Sequence, residues 1–146
     1  MKKIAKRQTK KKLKFLLFHC LLILVRSSNS EMLSWPNSPL LVLLQFVDSN
    51  MLSGEDETGQ TLLHYLAELA DPFDYSTHES QLILAKQLIE RSANVNAVSI
   101  PQGRTPLHHA CSWGYVTNLD FVELLLEKGA DPNFQDHLGM TVTVDV

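Results

Sequence analysis

A chain of 146 residues has room for one ordinary domain, because a core able to hold a fold seldom forms below about 40 to 60 residues. The net charge of −3 conceals a division: residues 1–30 hold nine of the 13 Lys and Arg and no acid, leaving four basic residues against all 16 acidic ones, a net of −12, over residues 31–146. So acidic a body lacks the clustered cations that phosphate binding needs, which argues against nucleic acid and favours a protein partner with a basic surface.

In chain order, Lys2, Lys3, Lys6, Arg7, Lys10, Lys11, Lys12 and Lys14 precede an apolar stretch, Phe15–Val25, broken by His19 and Cys20. With small residues at Ser27, Ser28 and Ser30 this is the layout of a signal peptide. Arg26 follows the stretch directly, no Ala-x-Ala-like cleavage site is present, and eleven residues fall short of the roughly 20 needed to span a bilayer. Three readings of residues 1–30 stay open: a signal peptide or short anchor, a basic tail attracted to anionic membrane or read as a nuclear-import signal, and an unnatural or alternatively spliced start. Cys20 and Cys111 are no disulfide framework, and no N-x-S/T sequon occurs. The folded part is therefore expected in the cytoplasm or nucleus, the alternative being membrane association or secretion through the N-terminal segment.

Within residues 31–54, Ser38 and Pro39 supply an N-cap and a first-turn proline for a short apolar helix over 40–48. Two longer segments then align. The first runs Asp56-Glu57-Thr58-Gly59-Gln60-Thr61-Leu62-Leu63-His64 and closes near Ser92-Ala93-Asn94-Val95-Asn96. The second runs Gly103-Arg104-Thr105-Pro106-Leu107-His108-His109-Ala110 and closes at Gly129-Ala130-Asp131-Pro132-Asn133, and a third start follows at Asp136-His137-Leu138-Gly139-Met140-Thr141. Thr105 is a natural N-cap and Pro106 suits the first turn of a helix, where its missing N–H is not needed. Leu119, Val122, Leu125 and Leu126 fall at helical spacing and predict a buried face, closed by Gly129 in the left-handed conformation.

These copies resemble the ankyrin pattern D-x-x-G-x-T-P-L-H-x-A followed by L-L-x-x-G-A-D-x-N, over about residues 55–141. The resemblance implies an all-α fold, an ankyrin-repeat solenoid fragment of helix-turn-helix units joined by β-hairpin-like loops. Helices are predicted near 40–48, 62–69, 77–91, 106–112 and 118–127, the first as a degenerate cap. Thr61 to Thr105 is 44 residues and Thr105 to Thr141 is 36, against about 33 for the family. Most of the first surplus is assigned to a loop around Asp71–Tyr75, after which Ser76 and Glu79 make a capping pair and Leu84, Leu88 and Ile89 point inward. The second surplus precedes another such pair, Thr117 and Asp120.

After Thr141 the pattern lapses into a tail, residues 142–146, which reads as a truncated or alternatively spliced product. On that reading the stacking face around Leu107, Ala110 and Leu125 is exposed and the chain is prone to associate.

His64, His108, His109 and Cys111 do not make a zinc set, since the first two share one repeat position and the spacing is wrong for structural zinc. In the family that histidine hydrogen-bonds locally and to the neighbouring repeat. Asp56, Asp131 and Asp136 sit in turns, where Asp bonds nearby backbone N–H groups. No nucleophile elbow, phosphate loop or dinucleotide fingerprint occurs, so neither catalysis nor a cofactor is implied. The function implied is a non-enzymatic protein-interaction scaffold; the rivals are a factor tethered or secreted through residues 1–30, and a product without independent function. Partner contact falls on the positions that vary in the pattern: Glu57, Thr58, Gln60, Glu68 and Leu69; Pro101, Gln102, Arg104, Ser112 and Trp113; and His137 and Leu138. Trp113 beside Arg104 is the leading pair, since Trp and Arg dominate binding hot spots. The alternative is that Trp113 packs on the inserted loop near Phe73 and Tyr75.

Overall fold

The computed structural model describes residues 54–68, 75–112 and 119–142. The basic N-terminal segment, the predicted helix over 40–48, Leu69, most of the 71–75 loop, Trp113, Thr117 and the last four residues of the tail lie outside the described residues.

Among the described residues four helices follow one another: α1 Leu62–Glu68, α2 Tyr75–Glu90, α3 Pro106–Cys111 and α4 Leu119–Glu127. Each start and end falls within two residues of the sequence expectation. No strand occurs among the described residues, and the hairpin-like loops are tight turns. Helices this short are marginal alone in water, so their stability comes from packing. α1 packs on α3 and α2 on α4, while α1 with α2 and α3 with α4 form the two helical hairpins.

One core runs through both hairpins, with Leu62, Leu63, Leu66 and Ala67 of α1 meeting Leu84, Ala85 and Leu88 of α2, Leu107 and Ala110 of α3, and Phe121, Val122, Leu124 and Leu125 of α4. Leu84 and Leu88 face inward as predicted, and Ile89 packs at the margin. Gln81, fully buried in α2, donates its side-chain amide to the Leu66 carbonyl and ties α2 to α1.

α3 begins as the sequence indicates, with Thr105 as N-cap, its hydroxyl accepting from the His108 N–H, and Pro106 at the first helical position. α2 begins at Tyr75, which puts Ser76 inside the helix rather than at its cap. Asp120 sits in the first turn of α4, where its charge suits the helix dipole.

α2 and α4 end alike. Ala93 N–H bonds to the Leu88 carbonyl (3.0 Å) and Ser92 N–H to that of Ile89 (2.9 Å), while Ala130 and Gly129 repeat the pair on Leu125 and Leu126 (2.9 and 3.1 Å). This closure needs a left-handed residue, supplied by Gly129 at φ +93° in one case and by Ser92 at φ +70° in the other.

Two expectations are corrected. The buried face of α4 is Phe121, Val122, Leu124 and Leu125, whereas Leu119 and Leu126 are 57% and 37% exposed. Phe121, the largest buried side chain, takes the position facing the core and turns the helix so that those two leucines leave it. Leu107, Ala110 and Leu125, expected on an exposed stacking face, are 0%, 5% and 0% exposed. They point into the core shared with α1 and α2. The C-terminal end instead carries an open cavity of about 220 Å³ lined by polar and mixed side chains including His108, Cys111, Asp136 and Met140, with Val142 packed at the core's edge.

Candidate functional site

The site begins with three stacked turns. In the first, Asp56 N–H bonds to the Gln60 carbonyl and Gly59 N–H to the Asp56 carbonyl, both at 3.0 Å. The third repeats this with Asp136, Gly139 and Met140, both at 2.9 Å. In the second, Ser99 N–H bonds to the Arg104 carbonyl (2.9 Å) and Gly103 N–H to the Ser99 carbonyl (2.8 Å), which makes it one residue longer. Part of the spacing surplus therefore lies in this turn, at Ile100-Pro101-Gln102, and not only in the 71–75 loop. The turns are joined edge to edge, Ile100 N–H to the Thr58 carbonyl (2.6 Å) and His137 N–H to the Gln102 carbonyl (2.9 Å).

The turn carboxylates are structural. Asp56 Oδ1 accepts from the N–H groups of Thr58 (2.7 Å) and Gln60 (3.0 Å) and from the Thr58 hydroxyl (2.6 Å), while Oδ2 accepts from the Tyr65 hydroxyl. Burial works to raise this carboxyl, and the bonds from Thr58, Tyr65 and Gln60 outweigh it, holding its pKa below the ordinary value. Asp136 Oδ1 accepts from Leu138 and Met140 N–H, each at 2.9 Å, leaving Oδ2 to hold Arg104 Nε at 3.5 Å. The Met140 N–H foremost, with Leu138 and Arg104, keeps Asp136 acidic against the opposing effect of burial. Asp131 Oδ1 likewise accepts from Asn133 N–H at 2.9 Å.

Histidines lock each turn to its helix and to the next repeat. His64 Nδ1 accepts from Thr61 N–H at 3.0 Å, which places the ring proton on Nε2, and Nε2 donates to the Arg104 carbonyl at 3.0 Å. His108 does the same with Thr105 N–H (3.2 Å) and the Met140 carbonyl (3.2 Å). Burial pushes the His64 pKa down to about 4, with His109 adding to the depression and the Arg104 carbonyl opposing it. A second lock is Asn96, whose side chain donates to the Gly129 carbonyl (3.0 Å) and accepts from Asp131 N–H (2.9 Å). These bonds commit both ring nitrogens of His64 and of His108 to the fold, and no metal-ligating cluster occurs among the described residues.

Between the turns and the C-terminal ends of α1 and α3 lies an open, polar groove of about 450 Å³, lined by Gln60, Glu68, Gln102, Arg104, His109 and Ser112. Five of these are contact residues predicted from sequence, and the locks bring them together: Gln60 and Arg104 share one repeat position, Glu68 and Ser112 another. Ser112 is held through its hydroxyl, which donates to the His108 carbonyl at 2.5 Å.

Of the other predicted residues, Glu57 and Thr58 are exposed on the first turn, Pro101 and Gln102 on the second, and His137 and Leu138 on the third. Leu138 is 81% exposed. The His137 ring lies over Gly103, and its Nδ1 bonds to the Pro101 carbonyl. Leu69 and Trp113 lie outside the described residues, and among those residues the partner of Arg104 is Asp136.

Sequence reasoning missed His109. Its Nδ1 meets Glu68 Oε1 at 2.7 Å, bridging the repeats across the groove, and its ring stands edge-on to His64 at 5.1 Å. The signal was its place at the variable x of T-P-L-H-x-A, the position Tyr65 holds in the first copy.

A family model described as ankyrin repeats, in three copies, matches residues 32–136. The chain is similar to the ankyrin repeat and LEM domain-containing protein 1 homolog of Caenorhabditis elegans, 40% identical over 89 residues, which is 61% of this chain and 11% of that protein. It is 38% identical over 66 residues to the mouse 2-5A-dependent ribonuclease, covering 45% of this chain and 9% of that one. It is 34% identical over 84 residues to the Arabidopsis thaliana ADP-ribosylation factor GTPase-activating protein AGD2, 58% and 9% of the two chains. The chain thus spans about a tenth of the length of these relatives. With the repeat model matched over residues 32–136, this chain belongs to the ankyrin-repeat family.

Proposed function

We propose that the protein is a non-enzymatic interaction scaffold whose partner lies in the polar groove and across the adjoining turns. The observation that carries this is the convergence of Gln60, Glu68, Gln102, Arg104, His109 and Ser112 from two repeats onto one open surface. Four of these side chains, Glu68, His109, Arg104 and Ser112, are held by bonds within the fold while the groove itself stays open, which lowers the ordering cost on binding. The charge of −12 over residues 31–146 favours encounter with a basic surface. The turn aspartates Asp56 and Asp136 and the repeat histidines His64 and His108 are committed to structure, which supports a binding rather than a catalytic reading.

The test compares three forms of the full chain as bait: wild type, Gln102→Ala/His109→Ala in the groove, and Lys86→Ala/Glu90→Ala on the exposed side of α2. A specific partner is retained by the wild type and the α2 variant and lost by the groove variant. Loss from the α2 variant alone would move the interaction surface to the outer helices.

A further inference from the structure

Residues 31–146 contain only four basic side chains, Lys86, Arg91, Arg104 and Lys128, and Arg104 alone lines the groove. Lys86 lies on α2, Arg91 just after it, and Lys128 just after α4. Arg104 is also fixed. Asp136, with a side chain 2% exposed, uses Oδ1 for the backbone of its own turn and Oδ2 for Arg104 Nε. Among the described residues the two terminal nitrogens of the guanidinium have no hydrogen bond or ion pair, and the Arg104 side chain is 39% exposed. The other groove residues are the amides of Gln60 and Gln102, the Ser112 hydroxyl, and Glu68 paired with His109.

A guanidinium held at Nε with its fork open is arranged to receive a carboxylate through two parallel N–H bonds. The surrounding acidity selects what can carry that carboxylate. Glu55 and Glu57 are exposed on the first turn, so a uniformly acidic segment or a dianion is repelled there. Building on the scaffold reading above, we infer that the groove takes a peptide segment with one Asp or Glu, seated on Arg104, flanked by Lys or Arg that meet the acidic first turn. Arg104 selects the acid and the body selects the basic flanks. Gln60, at the same position in the preceding repeat, is neutral, which sets the register: the acid falls on the second repeat and the basic residues towards the first.

A random dodecapeptide library displayed on phage, selected against the full chain, tests this. The expected binders share one acid flanked by basic residues. Replacing that Glu by Gln in a fluorescent copy weakens binding to the wild type by about tenfold or more, and the preference collapses in Arg104→Gln. Arg104→Lys, which keeps the charge without the fork, retains part of it and carries the comparison if Arg104→Gln melts early. Binders without an acid, or binders equally tight with Gln, overturn this inference while leaving the scaffold reading intact. A library that yields no groove-dependent binder overturns both.

Discussion

The residue that couples the two repeats most directly is His64, and its chemistry makes a sharp pH prediction. Its Nδ1 must accept and its Nε2 must donate, so the folded protein holds the ring neutral, with a pKa of about 4 against 6.5 in the unfolded chain. Above pH 6.5 both states are neutral and nothing is lost. As pH falls below 6.5 the unfolded chain takes up a proton that the folded one refuses, so stability declines until about pH 4, by roughly 3 kcal/mol in all. Asp56 and Asp136, with lowered pKa values, contribute stability that is lost only at still lower pH. Urea melts between pH 7.5 and 4.5 should show the decline, and His64→Asn should flatten it; an equally steep decline in that variant would remove His64 as its source. Ser92 offers a second case at this scale. It holds the left-handed place that Gly129 fills in the other copy, and a side chain there costs roughly 1 to 2 kcal/mol, partly offset by the chain entropy that glycine adds. Ser92→Gly should therefore stabilise by about 0.5 to 1 kcal/mol in thermal or urea melts, whereas a loss would mean that the Ser92 side chain supports the turn.

Among the elements, α3 was legible because its signals are local: Thr105 caps, Pro106 starts, and the His108 side chain completes the cap. The inward face of α4 was not. A nine-residue helix with six apolar positions carries two overlapping stripes, and spacing alone cannot choose between one through Leu119 and Leu126 and one through Phe121 and Leu125. The choice is made by volume, since the core accepts the aromatic ring and α4 rotates accordingly. Phe121→Ala should cost about 3 to 5 kcal/mol, while Leu119→Lys should stay within about 0.5 kcal/mol, as surface changes do. Comparable losses for the two would restore the leucine stripe. The longer second turn was hidden for a related reason. Thr61 and Thr105 fix the total spacing, but only the bonds from Ser99 to Arg104 show that one extra residue sits at Ile100-Pro101-Gln102.

At the scale of the whole molecule, the repeat pattern was legible because a recurring register of similar turns and helix starts forces neighbouring units to stack. Gln60 and Arg104, like Glu68 and Ser112, were nameable from alignment alone, since stacked copies bring equal positions side by side. Two things were not written locally: that Asp136 of the third turn reaches back to orient Arg104, and that His109 spans the groove to Glu68. Both are contacts between repeats, set by how the copies lean on one another rather than by either segment. Binding in the groove is tested by amide hydrogen exchange on the full chain with and without a bound partner or selected peptide. Slowed exchange is expected over 57–60, 100–104 and 109–112, with α2 and α4 unchanged; protection confined to 82–90 or 121–127 would contradict binding in the groove.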